Sequence, residues 1–185
     1  MNDWFTTLDG LHARAWQLLR EGAAGKDHAA RFATLATVSP DGAPEARTVA
    51  LREIDESART VAVFTDNQSD KMRSLAATPQ VALNIWDHVS NLQVRIWADV
   101  TLQQGEPLRA LWDRMPGPAL YSYGSTPPPG QPISAALDYI KKPDFDCFLR
   151  ILCKVSKMDI VHLGDDHRRA VFSQTRDWEG EWLAP

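Results

Sequence analysis

The chain consists largely of short segments in which apolar and small or polar side chains alternate, the period expected of β-strands. Helix-like segments are few, at residues 4–20, 69–77, 106–114 and 134–141. Strands and helices therefore do not alternate regularly, which favours an antiparallel sheet over a doubly wound fold. A closed or half-closed barrel would remove exposed strand edges. The predicted fold is mainly β, an antiparallel barrel with peripheral helices, with strands at residues 32–39, 46–54, 60–65, 80–86, 92–102, 145–161, 169–174 and 178–183.

Turn and loop residues set the connections between these segments. A Pro-Asp-Gly sequence at residues 40–42 supplies the turn of a hairpin. The chain loosens at the glycine- and alanine-rich residues 22–25, and residues 134–141 are predicted to be a short helix with Ser134 at its N-cap. Residues 115–132 are too rich in glycine and proline for regular structure, and long enough to be a functional loop.

Length and charge narrow the classes of protein. The 185 residues predict one domain, 1–185, with a core at 31–103 and C-terminal strands at 145–185. The formal net charge of −4 argues against a nucleic-acid-binding protein. No apolar run reaches the roughly 20 residues that span a bilayer, and residues 1–4 do not begin a signal peptide. The expected location is the cytoplasm, and neither nucleic acid nor a membrane is an expected partner.

Cysteine and histidine placement indicates no metal site. Cys147 and Cys153 lie six residues apart in one predicted strand. That spacing separates them by about 20 Å, too far for a disulfide, so both are expected to be free thiols in a reducing compartment. The five histidines are scattered, and no familiar catalytic signature is present. The sequence therefore identifies no catalytic residue.

Basic and hydroxyl side chains around the second strand and the following helix form a candidate anion site. Arg47 and Arg52 bracket residues 48–51 of the second strand, and Ser69 and Lys71 lie where the helix after the third strand begins. A helix N-terminus offers free N–H groups to a phosphate, and an arginine adds a bidentate contact. The alternative is that Ser69 is only an N-cap and Lys71 only a solvated side chain.

Three segments match, in order and spacing, the motifs of one known family. Residues 47–52 (RTVALR) match R-x-V-x-L-K/R, and residues 64–71 (FTDNQSDK) match F/Y-T-x-x-x-S-x-K. Residues 78–83 (TPQVAL) are similar to N-P-x-V-x-L, and residues 178–185 (WEGEWLAP) to a C-terminal W-x-x-x-x-L-A-P. The chain thus resembles the pyridoxamine 5′-phosphate oxidase superfamily of FMN-binding split barrels, well over residues 32–102 and partially at its C-terminal end.

The resemblance implies FMN as the cofactor. Arg47 and Lys71 would bind the FMN phosphate, with Ser69 beside them. Arg52 would lie near the flavin and the substrate. The backbone of Thr48, Val49, Ala50 and Leu51 would lie along the flavin. Phe64 and Thr65 would line the pocket. Gln93 would form a hydrogen bond to the isoalloxazine edge.

The same resemblance implies a homodimer with the flavin between its protomers. Residues 47 and 52 are an odd number apart, so a regular strand would place them on opposite faces. Either a bulge intervenes or one of these arginines acts across the subunit boundary. Seven tryptophans and the stiff, apolar loop at residues 115–132 also favour an interface.

The residues that hold the vitamin substrate in the true oxidases are not matched. The family's second phosphate-side arginine is replaced by Asp70. Its tyrosine falls on Leu111, and its nearby arginine falls on Met115 unless a one-residue shift brings Arg114 into place. Its C-terminal tryptophan falls near Val161. Only residues 167–169 (HRR) lie close to its Arg-x-His element.

These matches and departures predict an FMN-dependent oxidoreductase related to pyridoxamine 5′-phosphate oxidase, acting on a small molecule that the sequence does not identify. The protein would supply phosphate anchoring and ring orientation, and the flavin would supply the chemistry. The alternative is a non-catalytic split-barrel carrier or sensor of flavin or haem. Haem would need an axial ligand, for which His162 and His167 are the candidates.

Overall fold

Residues 3–185 are described by the structure, a computed structural model of the chain. Met1 and Asn2 lie outside these residues. Both belong to the predicted domain and to residues 1–4, which are not expected to begin a signal peptide. The helices within 3–185 are α1 (Leu8–Ala24), α2 (Lys71–Ala77), α3 (Arg109–Asp113) and α4 (Gly117–Leu120). The strands are β1 (Phe32–Val38), β2 (Pro44–Asp55), β3 (Thr60–Asp66), β4 (Gln80–Asp87), β5 (Leu92–Gln104), β6 (Ser125–Thr126), β7 (Ile140–Lys141), β8 (Phe148–His162), β9 (Arg168–Ser173) and β10 (Glu181–Leu183).

Six strands close an antiparallel barrel in the order β8-β3-β2-β1-β4-β5, and β5 pairs back onto β8. β9 and β10 extend the sheet from β8, while β6 and β7 form a separate two-stranded ribbon. Alternate residues along β4 and β5 are buried inside the barrel, among them Leu83, Ile85, Val94 and Ile96. The predicted antiparallel barrel with peripheral helices is therefore confirmed, and β1 and β2 form the predicted hairpin.

A β-bulge in β2 changes the faces that its residues occupy. The pairing of β2 with β3 shifts at Arg52, the extra residue between Leu51 and Glu53. Burial follows the shift, since Leu51 and Ile54 both pack against the barrel core although they are three positions apart along the strand. Residues 47–51 alternate regularly before the bulge, so the bulge re-orients the residues after Arg52 rather than Arg47.

The first helix extends further than the sequence predicts. The segment at residues 4–20 is a 3-10 turn, Trp4–Thr6, followed by α1. The expected loosening at residues 22–25 is wrong, because α1 continues through most of this stretch. Gly22 is buried there, and a Cβ at this position would overlap the backbone of Ala30. This glycine permits close packing rather than ending the helix.

The segment between β5 and β8 differs most from expectation. Within the described chain, residues 134–141 form no helix; they are exposed throughout, and their last two residues form β7. A short helix gains little stability without an apolar face to bury, which explains why this prediction and the N-cap at Ser134 are wrong. Residues 115–132 are mostly irregular, as predicted, apart from α4 and β6.

A second apolar cluster fixes this segment to the end of the barrel. It consists of Leu108, Trp112, Tyr123, Cys147 and Phe148. The ring centroid of Phe148 lies 5.5 Å from that of Trp112 and 5.0 Å from that of Tyr123. Because Phe148 begins β8, beside the end of β3, the cluster holds the chain around Tyr123 next to that end of the barrel.

The two cysteines are buried and free, as the sequence predicts. Burial raises the pKa of Cys153 to about 12, which keeps its thiol protonated and unreactive. No helix in residues 3–185 is long and apolar enough to cross a membrane.

Candidate functional site

A cleft of about 340 Å³ lies between β2, the end of β3, the start of α2 and the chain around Tyr123. It brings together nine of the eleven residues that the sequence assigns to the cofactor site. These nine are Arg47, Thr48, Val49, Ala50, Arg52, Phe64, Thr65, Ser69 and Lys71. Asp66, Ser122, Tyr123 and Pro129 complete the lining.

Lys71 is held in the cleft by two hydroxyl groups. Its Nζ donates to Thr65 Oγ1 at 2.8 Å and to Ser69 Oγ at 2.7 Å. Burial, and then the charge of Arg47, lower the pKa of Lys71, and the charges of Asp66 and Asp70 oppose that shift only in part. Lys71 is therefore not the solvated side chain of the alternative interpretation.

Ser69 does not cap α2, which corrects the other half of that alternative. The N-cap residue is Asp70, whose side chain makes no capping hydrogen bond. The Ser69 hydroxyl instead donates to the Asp66 carbonyl oxygen at 2.7 Å and accepts from Lys71. Its hydroxyl therefore orients the lysine ammonium group inside the cleft.

Arg47 is fixed by a polar network at the same end of the cleft. It donates from Nη1 to Thr37 Oγ1 at 2.6 Å and from Nη2 to Glu45 Oε2 at 3.0 Å. Hydrogen bonds from Ser74 and Thr37, with Arg47, lower the pKa of Glu45, so this carboxylate stays ionised. Arg47 keeps further N–H donors, and its charge acts on Lys71. Two cations thus converge, and an anion between them would relieve their repulsion.

Arg52, the residue at the β-bulge, lines the same cleft as Arg47 within one chain. Its guanidinium lies 5.9 Å from the centroid of the Phe64 ring, and no ion pair to it is formed among residues 3–185. Tyr123 lies nearby with its side chain almost wholly buried, and burial raises its pKa. The phenol therefore remains a neutral hydrogen-bonding group.

Asp66, Ser122, Tyr123 and Pro129 were not expected from the sequence. Asp66 is buried, and its carboxylate accepts from the backbone N–H of Gln68 and from that of Gly124, each at 2.8 Å. It thereby ties the chain around Tyr123 to the end of β3. The only local signal was an acidic residue directly after the predicted third strand, and its partner is distant in sequence.

Leu51 and Gln93 lie outside the cleft. Leu51 is buried inside the barrel, so only its backbone is available to a ligand. Gln93 lies on β5, paired with Trp86 of β4 and Val161 of β8, with its side chain on the outside of the barrel. Two strands, β1 and β4, separate it from the β2 residues of the cleft.

The outward-facing residues of β2, β1, β4 and β5 form a continuous surface, called here the outer face. Phe32 is 56% exposed and Trp86 40% exposed on this surface. Asn84 Oδ1 and Arg95 Nε are buried there without a hydrogen-bond partner among the described residues. Buried polar atoms without a hydrogen-bond partner are rare in native proteins. The outer face also reaches the cleft, through residues such as Thr48 and Ala50.

The two histidines considered as haem ligands lie elsewhere. His162 is buried, with its ring stacked on Phe5 at a centroid distance of 4.5 Å and edge-on to Trp4 at 5.1 Å. His167 is exposed in the turn between β8 and β9. Neither lines the cleft, and no cluster of three or more metal-ligating side chains occurs within residues 3–185.

Solved structures define the class of fold. A pyridoxamine 5′-phosphate oxidase-related, FMN-binding protein from Nostoc punctiforme superposes with a TM-score of 0.77 at 24% identity, covering 100% of this chain and 99% of that one. PhzG from Burkholderia lata, in complex with tetrahydrophenazine-1-carboxylic acid, also gives 0.77, at 18% identity and 100% and 97% coverage. The barrel is therefore a split barrel of the FMN-binding type.

Sequence comparison then identifies the family. The family model for pyridoxamine 5′-phosphate oxidase matches residues 26–141, and the chain belongs to this family. The pyridoxine/pyridoxamine 5′-phosphate oxidase of Thermosynechococcus vestitus is 48% identical over 67 residues, 36% of this chain and 31% of that protein. That of Anaeromyxobacter dehalogenans is 40% identical over 89 residues, 48% and 44%. The chain thus matches less than half the length of these relatives.

Proposed function

We propose that the protein is an FMN-binding flavoprotein and an oxidoreductase whose substrate is not pyridoxamine phosphate. The observation that carries the proposal is the convergence of Arg47 and Lys71 on one cleft, beside the hydroxyls of Thr65 and Ser69. A half-buried lysine and an arginine whose charges repel each other fit a dianionic phosphate. The motif residues of the family stand at these positions.

The chain's own residues would bind and orient the cofactor. Arg47, Ser69 and Lys71 would hold the phosphate by charge-assisted hydrogen bonds. The backbone of residues 48–51 would run along the flavin, and Phe64 would exclude water from one side. When bound, the flavin supplies hydride transfer between the substrate and an acceptor. No general base is assigned among the residues of the cleft.

The substrate side of the cleft supports a molecule other than a vitamin phosphate. Leu111 and Met115, at the positions where the true oxidases carry a tyrosine and an arginine, are apolar and pack against the second apolar cluster. Val161, near the position of the family's tryptophan, is buried on β8. The groups available to a substrate are Arg52 and the hydroxyls of Ser122 and Tyr123.

A second copy of the chain would complete the site. The outer face has exposed aromatic rings and two orphaned polar atoms, as expected of a surface that a partner covers. It joins the cleft at Thr48 and Ala50, so a twofold-related protomer packed there would lie against the bound flavin. Gln93 on that face would then reach the partner's cofactor rather than its own.

The absorbance spectrum of the purified full-length chain tests the cofactor. We expect flavin bands and, after denaturation, release of FMN. Haem bands would favour the carrier or sensor alternative, although neither candidate axial ligand, His162 or His167, lines the cleft. A chain that is colourless and binds no added FMN would overturn the proposal.

Oxidoreductase activity is tested separately, by reduction of the bound flavin. A flavin enzyme should pass electrons from a suitable reduced donor to its flavin, and from the reduced flavin to oxygen or another acceptor. The donors are a panel of nicotinamides and small alcohols and amines, and reoxidation is followed after chemical reduction. A tightly bound flavin that no donor reduces and that is not reoxidised would leave only the carrier role.

A further inference from the structure

A tight turn of this chain closes the phosphate end of the cleft. Gln131 donates its backbone N–H to the carbonyl oxygen of Pro128 at 3.2 Å, which makes residues 128–131 a β-turn. Pro129 and Gly130 are its central residues, and Gly130 has φ of +88°, as in a type II turn. Pro129 lines the cleft together with Arg47, Ser69 and Lys71.

The turn is seated on Asp70, the residue directly before Lys71. A Cβ at Gly130 would lie 3.0 Å from Cγ and 3.1 Å from Oδ1 of Asp70, and closer still to Oδ2. A larger residue at this position would need the Asp70 side chain to move, and the positive φ already favours glycine. Asp70 stands where the family's second phosphate-side arginine is expected, so here that position carries the turn instead of a phosphate contact.

We propose that the Pro129–Gly130 turn, seated on Asp70, restricts the cleft to flavins that end at their first phosphate. A flavin dinucleotide continues from that phosphate into a second phosphate and an adenosine. Its path out of the cleft would meet the Pro129 ring, and the second phosphate would approach the Asp70 carboxylate. Selectivity of this kind arises from a clash and a like charge directed against the unwanted ligand.

The inference rests on the proposed FMN site, and three flavins separate the two ideas. Binding of riboflavin, FMN and FAD to the full-length protein is measured by quenching of flavin fluorescence. FMN should bind at least about tenfold more tightly than riboflavin, because only FMN carries the phosphate. FMN should also bind about tenfold to a hundredfold more tightly than FAD, because of the turn.

The variant Gly130→Ala tests the turn itself. An alanine at this positive φ strains the turn, and its Cβ would push the turn and the Asp70 carboxylate apart, so the preference for FMN over FAD should fall by about tenfold. Gly105→Ala is the matched control, since Gly105 has φ of +80° but no atom within 4 Å of its Cβ position. Asp70→Ala removes the seat without changing the turn backbone, and the preference should fall in the same direction.

Each outcome bears on one idea. Equal binding of FMN and FAD by the unmodified protein, with riboflavin weaker, would overturn the turn's role and leave the FMN site intact. An unchanged preference in folded Gly130→Ala and Asp70→Ala would also overturn it. Equal binding of riboflavin and FMN, or no binding of any flavin, would overturn the phosphate site on which the inference rests.

Discussion

Lys71 and Arg47 provide the positive charge at the phosphate end of the cleft, but their surroundings differ. Lys71 contacts only neutral hydroxyls, whereas Arg47 is paired with Glu45 and Thr37. Removing Lys71 therefore takes away a charge that forms no ion pair within the described residues. Removing Arg47 also leaves Glu45 without its cation, although Ser74 and Thr37 still donate to that carboxylate.

Replacing either cation should weaken FMN binding without unfolding the protein. Lys71→Ala or Arg47→Ala removes a charge-assisted hydrogen bond worth about 1.5–3 kcal/mol, or roughly tenfold to a hundredfold in affinity. Titration by flavin fluorescence measures the change. Arg73→Ala is the control on the same helix, because its side chain is 80% exposed and outside the cleft. Unchanged affinity in both cleft variants would remove the phosphate assignment.

The affinity for FMN should decline with rising pH earlier than an ordinary lysine would allow. Burial and Arg47 lower the pKa of Lys71 below its usual 10.5, and only the charged ammonium binds phosphate strongly. As the pH rises through this lowered pKa, the free protein loses the charge and the affinity falls. Binding measured from about pH 7 to 10 checks this. Lys71→Arg stays charged over that range and should show a flatter profile; identical profiles would contradict the expectation.

At the scale of single elements, the close approach of chain segments depends on particular glycines. Gly22 lies inside α1 and is buried against the 3-10 turn that includes Ala30. Its role depends on what lies across from it rather than on its helix propensity. The Pro129–Gly130 turn is a second case, because its glycine has a positive φ and also lies against the Asp70 carboxylate.

Gly22→Ala should destabilise the protein although alanine is the better helix former. The added methyl group would overlap the Ala30 backbone, and such overpacking costs about 1–3 kcal/mol in the free energy of unfolding. Urea denaturation gives the value. Gly117→Ala serves as control, because no atom lies within 4 Å of its Cβ position, and its effect should stay within about 0.5 kcal/mol. A stabilised Gly22→Ala variant would show that the helix moves freely at this contact.

At the scale of the whole molecule, the interior of the barrel is buried, whereas the outer face keeps exposed aromatic rings and, within residues 3–185, unpaired polar atoms. Asp159 lies beneath this face and pairs with Arg95 at 2.5 Å and with Arg169 at 2.9 Å. Burial would raise the pKa of Asp159, but the hydrogen bonds and charges of Arg169 and Arg95 outweigh it and lower that pKa. The exposed aromatic rings of Phe32 and Trp86 nearby in the sheet are the side chains that favour an interface.

The protein is expected to be a homodimer whose cofactor site needs both chains. Phe32→Asp places a charge on the outer face and should shift the mass measured by light scattering from dimer to monomer, with loss of FMN affinity. Val89→Asp is the control, because Val89 is 78% exposed in the loop after β4. A monomeric mass for the unmodified, FMN-loaded protein would reject the shared site.

Turnover of pyridoxamine or pyridoxine phosphate should be weak or absent. The side chains of Leu111 and Met115 are apolar and cannot donate hydrogen bonds to a substrate phosphate. An oxidase assay with FMN-loaded protein measures kcat/KM. A value of about 10⁴ M⁻¹s⁻¹ or more, within the usual range of good enzymes, would contradict this expectation.

Much of the barrel and of the phosphate end of the site was accessible from the sequence. Strand residues alternate because one face is buried, and the Pro-Asp-Gly turn before β2 favours a hairpin locally. Arg47 lies on β2, whereas Ser69 and Lys71 lie between the end of β3 and the start of α2, so their meeting follows once β2 and β3 are paired. The helix at residues 134–141 failed because composition does not reveal whether a segment finds anything to pack against.

The alternation of residues, which is a local property, predicted the strands, and the motifs at residues 47–52 and 64–71 predicted the barrel class and the cations of the cleft. The packed structure alone fixes the bulge at Arg52, because register is set by β3 rather than by β2 alone. It also decided the contact of Gly130 with Asp70, which are sixty residues apart in sequence. Contacts over such separations depend on how the elements pack, and no local pattern of residues encodes that packing.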